Sequence, residues 1–195
     1  MALLLAAILL TACSNSPPPP PSPTPDTRPL GDVTADPKEC GLISKQSIER
    51  ATGLSDFTVK KYMSDNGKHL ESCYIYTKPR NESGYRLKIE IDDPSPLPLS
   101  QIAGSKASRN GVDLPADAGP GFTFTIVEFG VNYGADGWAW ARDGSRMLSV
   151  TLAETPSNRD PQKDAAEFIR QLRPIVLDPI GATRTGASTR SSRPA

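Results

Sequence analysis

The sequence predicts an α+β fold: a single domain built on a mostly antiparallel sheet of about six strands, with two to three helices packed on it. Three observations carry this. Residues 85–91 alternate, with Tyr85, Leu87, Ile89 and Ile91 on one side and Arg86, Lys88 and Glu90 on the other, which is the period of a half-buried antiparallel strand. Ala165, Phe168, Ile169 and Leu172 follow the i, i+3, i+4, i+7 stripe of an amphipathic helix. The elements read in the order helix, three strands, helix, three strands, helix.

The domain is expected to span residues 36–177. A first helix covers 45–52, with Ser44 placed to cap it through its hydroxyl. Ile43 and Ile48 are spaced as a hydrophobic staple, and Gly53 suits the left-handed C-terminal position. Strands follow at 57–62, 71–77 and 85–91, with Ser64-Asp65-Asn66-Gly67 as a turn. In the second of these, Cys73, Ile75 and Thr77 alternate with Ser72, Tyr74 and Tyr76. Three prolines exclude 92–98 from a central strand. A second helix is expected over 99–109, with Ile102, Ala103 and Ala107 on one face and Asn110-Gly111 at its end. After a loop through Pro115 and Pro120, strands are expected at 122–129, 137–142 and 147–152, the last two joined at Asp143-Gly144. The final helix is the best marked: Asp160 is its cap, Pro161 occupies the first helical position, and Pro174 limits its end. Residues 178–195 form a polar tail of Gly, Ala, Ser, Thr and Arg, expected to be disordered.

The N-terminal stretch reads differently. Residues 2–12 carry no charge, Pro or Gly. The run is shorter than the roughly 17–25 residues of a membrane-spanning helix and matches the apolar core of a secretory signal, about 7–15 residues. Leu10-Thr11-Ala12-Cys13 at its end resembles the lipobox of bacterial lipoprotein signal peptides. The resemblance implies that residues 1–12 are removed and that Cys13 receives diacylglycerol as a thioether. No Lys or Arg precedes the run, where signal peptides carry a basic segment, so the true start is expected upstream of Met1. Residues 13–35 are then a stalk. Pro17 through Pro21, Pro23 and Pro25 favour polyproline II, and Ser22 and Thr24 among them have the composition of glycosylated stalks.

Lys+Arg and Asp+Glu both number 22, so the formal net charge is zero. A nucleic-acid partner, which would need a basic stripe, is not expected. Of the three cysteines, Cys13 is accounted for by the lipobox. Cys40 and Cys73 remain, and in an exported protein an even pair is most simply a disulfide. The alternatives are a metal pair or a catalytic thiol, although no further Cys or His lies at ligand spacing.

Cys40-Gly41-Leu42-Ile43-Ser44, the helix ending at Gly53, and Cys73 followed by Tyr74 form a larger pattern. With the lipobox and the Pro-rich linker, it resembles the small cell-envelope lipoproteins of actinobacteria that carry an uncharacterised disulfide-containing domain. The likeness spans most of the chain through short motifs. It implies an envelope location and a disulfide between Cys40 and Cys73, and it implies no particular activity.

Catalytic chemistry finds little support. His69 is the only histidine and is expected in a solvated loop after the Asn66-Gly67 turn. A hydrolytic triad needs a buried, oriented imidazole. Asp92-Asp93 reads as a strand-ending turn. Gly130, Gly134 and Gly137 read as a glycine-rich loop, without the Lys-Ser/Thr and the following helix that a phosphate cradle needs. We expect no catalytic set, no metal and no cofactor. Trp138 and Trp140 alternate with Ala139 and Ala141, which puts both rings on one strand face. They either fill the core under a helix or line an apolar cleft that Tyr133, in the preceding loop, would rim. The first expectation is thus a lipid-anchored, non-catalytic binding or interaction module on the outer face of the cell membrane. Its partner would be an envelope protein, a glycan or a lipid. The alternative is a carrier of a small apolar ligand beside Trp138 and Trp140; a hydrolase comes last.

Overall fold

The computed structural model describes residues 23–65, 67, 70–77 and 84–178. A small hairpin of β1 (Lys38–Glu39) and β2 (Ile43–Ser44) leads into helix α1 (Lys45–Thr52). Strands β3 (Phe57–Met63), β4 (Leu70–Thr77) and β5 (Leu87–Asp92) follow. A 3₁₀ turn at Leu99–Gln101 opens helix α2 (Ile102–Ser108), and β6 (Val112–Asp113) comes next. The chain continues through β7 (Gly121–Glu128), β8 (Val131–Trp140), β9 (Met147–Ala153) and helix α3 (Pro161–Val176). Strands β3 to β9 form one antiparallel sheet of seven, in the order β3-β4-β5-β9-β8-β7-β6.

The class is the α+β one expected, and the six long strands lie within a residue or two of their expected places, with one exception. β8 starts six residues earlier than expected and takes in Gly134 and Gly137, so the glycine-rich segment is largely strand and not loop. Glycine weakens a strand, but here close packing requires it. A Cβ at Gly137 would lie 2.7 Å from Ile169 Cδ1 of α3. The strands not anticipated, β1, β2 and β6, have two residues each, too few for a period to be visible. Ser44 does not cap α1 with its hydroxyl. It ends β2 instead, and its peptide N–H donates to Val33 O at 2.6 Å. Gly53 does take the left-handed conformation, with φ of 72°. Helix α3 runs two residues beyond Pro174.

Helices α1 and α3 cover one face of the sheet. Between them and it lie Ile43, Ile48, Ile75, Leu87, Ile89, Leu148, Val150, Leu152, Phe168, Ile169 and Leu172, all fully buried. Asp160 caps α3 by accepting from the N–H groups of Gln162 and Lys163. At the other end, the Arg146 guanidinium donates to the carbonyls of Val176, at 2.8 Å, and Leu177, answering the negative end of the helix dipole. The Cys40–Cys73 disulfide joins the β1–β2 turn to the middle of β4 across 33 residues. Closing a loop of that length contributes about 3–4 kcal/mol in the chain-entropy model.

Folded contacts begin before the boundary expected at residue 36. Leu30 and Val33 are buried in the main core, and both helices hold the backbone around them. Ser47 Oγ donates to Leu30 O, Arg50 to Pro29 O, and Gln171 Nε2 to Gly31 O, while Val33 N donates to Gln171 Oε1. Arg159 fixes the start of this strap at the N-terminus of α3. Its guanidinium makes a bidentate pair with Asp164, at 2.6 and 2.7 Å, reaches Asp26 at 3.3 Å, and donates to Arg28 O. Only 4% of the Arg159 side chain and 8% of that of Asp164 are exposed, so removing one partner strands the other's charge.

We therefore expect Arg159→Ala to cost about 3–5 kcal/mol in urea unfolding. The double variant Arg159→Ala/Asp164→Ala should cost less than the sum of the two single changes, because no orphaned carboxylate remains.

Candidate functional site

The face of the sheet turned away from α1 and α3 carries the chemistry. Residues paired directly across antiparallel strands share a face, and the register lines them up in two rows. One runs Lys60, Tyr74, Lys88, Thr151, Asp136, Phe124; its neighbour runs Tyr62, Ser72, Glu90, Ser149, Trp138, Phe122. Six strands at about 4.8 Å make a band roughly 24 Å long, polar in the middle and aromatic at both ends.

The polar middle is internally bonded. Glu90 receives Lys88 Nζ at 2.8 Å, the Tyr74 hydroxyl at 3.1 Å and Ser149 Oγ at 3.4 Å. Burial works against the charge on Lys88, but Glu90, helped by Tyr85 and Tyr74, outweighs it and the ammonium's pKa is raised. Asp136 Oδ1 accepts from Thr151 Oγ1 at 3.0 Å and from Gly137 N at 3.1 Å. Burial nevertheless pushes the Asp136 pKa up, against the pull of those bonds and of the Lys88 charge. At the end of β5, Asp92 is raised too, by burial and then by the charge of Glu90.

At one end of the band, Tyr74 is a hub. It packs edge-on against Tyr62 and Tyr85, with centroids 5.6 and 5.5 Å away, and stacks with Tyr76 at 6.1 Å. Lys60 Nζ lies 4.7 Å from the centre of the Tyr62 ring. Four of the five tyrosines thus make one solvent-facing cluster. At the other end Phe122, Phe124, Trp138, Trp140 and Met147 form a second apolar cluster, with Leu97 and Ile102 packed on it. Trp140 is wholly buried and its indole N–H donates to Leu97 O at 2.9 Å. Trp138 is half-buried, and the Arg109 guanidinium sits 4.6 Å from its centre and 4.8 Å from that of Phe124.

Trp138 and Trp140 do share a strand face, and that face meets α2 and the proline loop. Tyr133 does not join them. It belongs to β8 and not to a preceding loop, five residues from Trp138 or about 16 Å at the strand rise. It lines a different hollow of about 620 Å³ beside Glu154, Pro156, Arg159 and Asp160, and its hydroxyl donates to Glu154 Oε1 at 2.9 Å. A second hollow, of about 890 Å³, runs from the disulfide at Cys40 past Glu90 and Asp92 to Arg146 and Ile175. Neither is lined by Trp138 or Trp140. Cys40 and Cys73 are joined, as expected. Cys13 and His69 lie outside the described residues. Among the described residues, no three metal-ligating side chains converge.

The band was partly visible beforehand. The alternation in β4 and β5 already puts Tyr74 with Tyr76 and Lys88 with Glu90, but reading each strand alone leaves them as solvent-side residues. Asp136 was hidden in the segment read as a glycine loop. No family model matches the chain, and no curated protein or solved structure is significantly similar to it.

Because burial raises the folded-state pKa of Asp136 above its ordinary value of 3.8, the folded protein holds that proton more tightly than the unfolded chain. Its contribution is present at low pH and is lost as pH rises through the folded pKa. Asp136→Asn keeps the acceptor oxygen and removes the charge. We expect the stability of Asp136→Asn relative to the native protein to be greater at about pH 7 than at about pH 3.5, measured by urea midpoints.

Proposed function

We propose that this chain is a lipid-anchored envelope lipoprotein, held to the outer face of the membrane by acyl chains on Cys13. Its domain is a non-catalytic module that binds a protein or glycan partner along the transverse band. The observation that carries the binding half is the band itself. Tyrosine rings at Tyr62 and Tyr74 stand beside two bonded groups, Lys88–Glu90–Ser149 and Asp136–Thr151, on one open sheet face. Tyrosine supplies contact area together with a hydrogen-bonding tip, and is enriched where proteins meet partners. Three features support the anchor: the Leu10-Thr11-Ala12-Cys13 sequence, the proline tract behind it, and a disulfide that belongs to an oxidising compartment.

Each half has its own test. Mass spectrometry of the mature N-terminus should find a diacylglyceryl thioether on Cys13. Palmitate labelling should disappear in Cys13→Ala; labelling that persists there would sink the anchor. For the band, Lys60→Glu/Tyr62→Ser alters two exposed side chains at its rim. Losing a tyrosine anchor costs over about 1 kcal/mol of binding, or about fivefold. Partner recovered by crosslinking from intact envelopes should fall by at least that factor, and unchanged recovery would move the interface elsewhere.

A further inference from the structure

The tip of the β7–β8 hairpin is apolar, and nothing among the described residues covers it. Val127 is 57%, Phe129 104% and Val131 68% exposed, three of the eight large hydrophobic side chains so exposed among the described residues. Glu128 is the one charged residue in the six-residue stretch 127–132. Glu128 pairs with Val131, which leaves Phe129 and Gly130 as a two-residue loop with φ of 50° and 77°. Positive φ at both loop positions is the pattern of a type I′ turn, for which Asn-Gly is favoured. Phenylalanine there helps neither the turn nor the core.

The place of the tip says what it meets. Helix α3 runs alongside β8 in the same direction: Ile169 and Ala165 lie over Gly137, and Arg173 donates to Trp140 O. The N-terminus of α3 therefore lies level with Tyr133, as their shared hollow requires. The chain enters the domain at this same end, where Asp26 N donates to Asn158 O and the Asp26 carboxylate meets Arg159. From Tyr133 the hairpin continues outward for four residues, about 13 Å. The thirteen residues from Cys13 to Pro25 span at most about 45 Å. An anchor on Cys13 thus tethers the domain by the end that bears Phe129.

We propose that the β7–β8 tip is a second membrane contact, with Phe129, Val127 and Val131 entering the interfacial layer of the phospholipid bilayer. The proposal rests on the anchored reading for its geometry. Two contacts would orient the domain, with the end of α3 at Ile175 pointing away from the membrane.

The test uses the mature full chain on vesicles of phosphatidylethanolamine and phosphatidylglycerol. A nitroxide is placed at F129C, at V131C in case the first variant folds poorly, and at I175C as the distal control. We expect the oxygen-to-nickel accessibility ratio at the tip to exceed that at 175 about tenfold, the signature of apolar burial, and to be insensitive to salt. F129N, better suited to the turn, should keep or raise the unfolding midpoint while lowering the ratio read at 131. A tip label that stays water-accessible on vesicles overturns the proposal. So does one protected only in native envelopes, which would mean a protein partner, and so does a signal abolished by salt. The mass of the N-terminal peptide reports acylation separately. A tip that enters vesicles above an unmodified Cys13 would uphold this contact and sink the anchor.

Discussion

The two-sidedness of strand β8 is the constraint from which the rest of the molecule follows. Ala135, Gly137 and Ala139 point to one face and Asp136, Trp138 and Trp140 to the other. The small residues let α3 lie directly on the sheet, with Ile169 where a Cβ on residue 137 would have to be. The large ones demand cover on the opposite face, supplied by Phe122, Phe124, Leu97 and Ile102. A shift of one residue in the pairing would put two indoles under α3 and three small residues under α2. Register, helix placement and the polarity of the two faces are therefore one decision.

A second dependence concerns how the N-terminal segment is held. The strap around Leu30 and Val33 adds two core side chains, but its backbone is fixed by polar side chains: Ser47 and Arg50 of α1, Gln171 of α3, and Arg159 just before the α3 cap. Arg159 is the most buried of the cations there, and Asp164 holds it charged. Arg28, with help from Arg159, holds the Asp26 carboxyl well below the usual range. The domain is thereby gripped at a defined point, the N-terminus of α3. In the anchored arrangement proposed above, this attachment would define which end of the domain faces back along the tether.

The band on the far face combines features that folding alone does not require. A sheet face can be covered by a helix or solvated by scattered polar residues. Here half is roofed by α2 and its approach, while the other half presents Tyr74 with Tyr62 and Tyr85 packed edge-on against it and Tyr76 stacked beside it. Between the halves, Asp136 and the Lys88–Glu90 pair are partly withdrawn from water and bonded to hydroxyls of Thr151, Ser149 and Tyr74. Groups so prearranged would lose little conformational freedom on meeting the partner proposed above.

Local patterns were legible in the sequence because they depend on neighbours a few residues away. The period of Leu87, Ile89 and Ile91, the stripe of Ala165, Phe168, Ile169 and Leu172, the cap at Asp160 and the left-handed Gly53 are of this kind. So was the α+β class, and so was the Cys40–Cys73 pairing once Cys13 was set aside. Gly134 and Gly137 misled because glycine signals a loop until the helix that needs the space is known. Tyr62, Tyr74, Ser149 and Asp136 each read as ordinary strand residues; their meeting depends on β9 inserting between β5 and β8, a pairing across more than fifty residues. The chain alone determined where the three helices and most of the long strands form and, where the alternation or stripe is clear, which side is apolar, since those follow from local periodicity. Only the tertiary structure decided that the polar sides of five strands and the tyrosines beside them share one surface, because strand order is set by long-range pairing, which no short window of sequence contains.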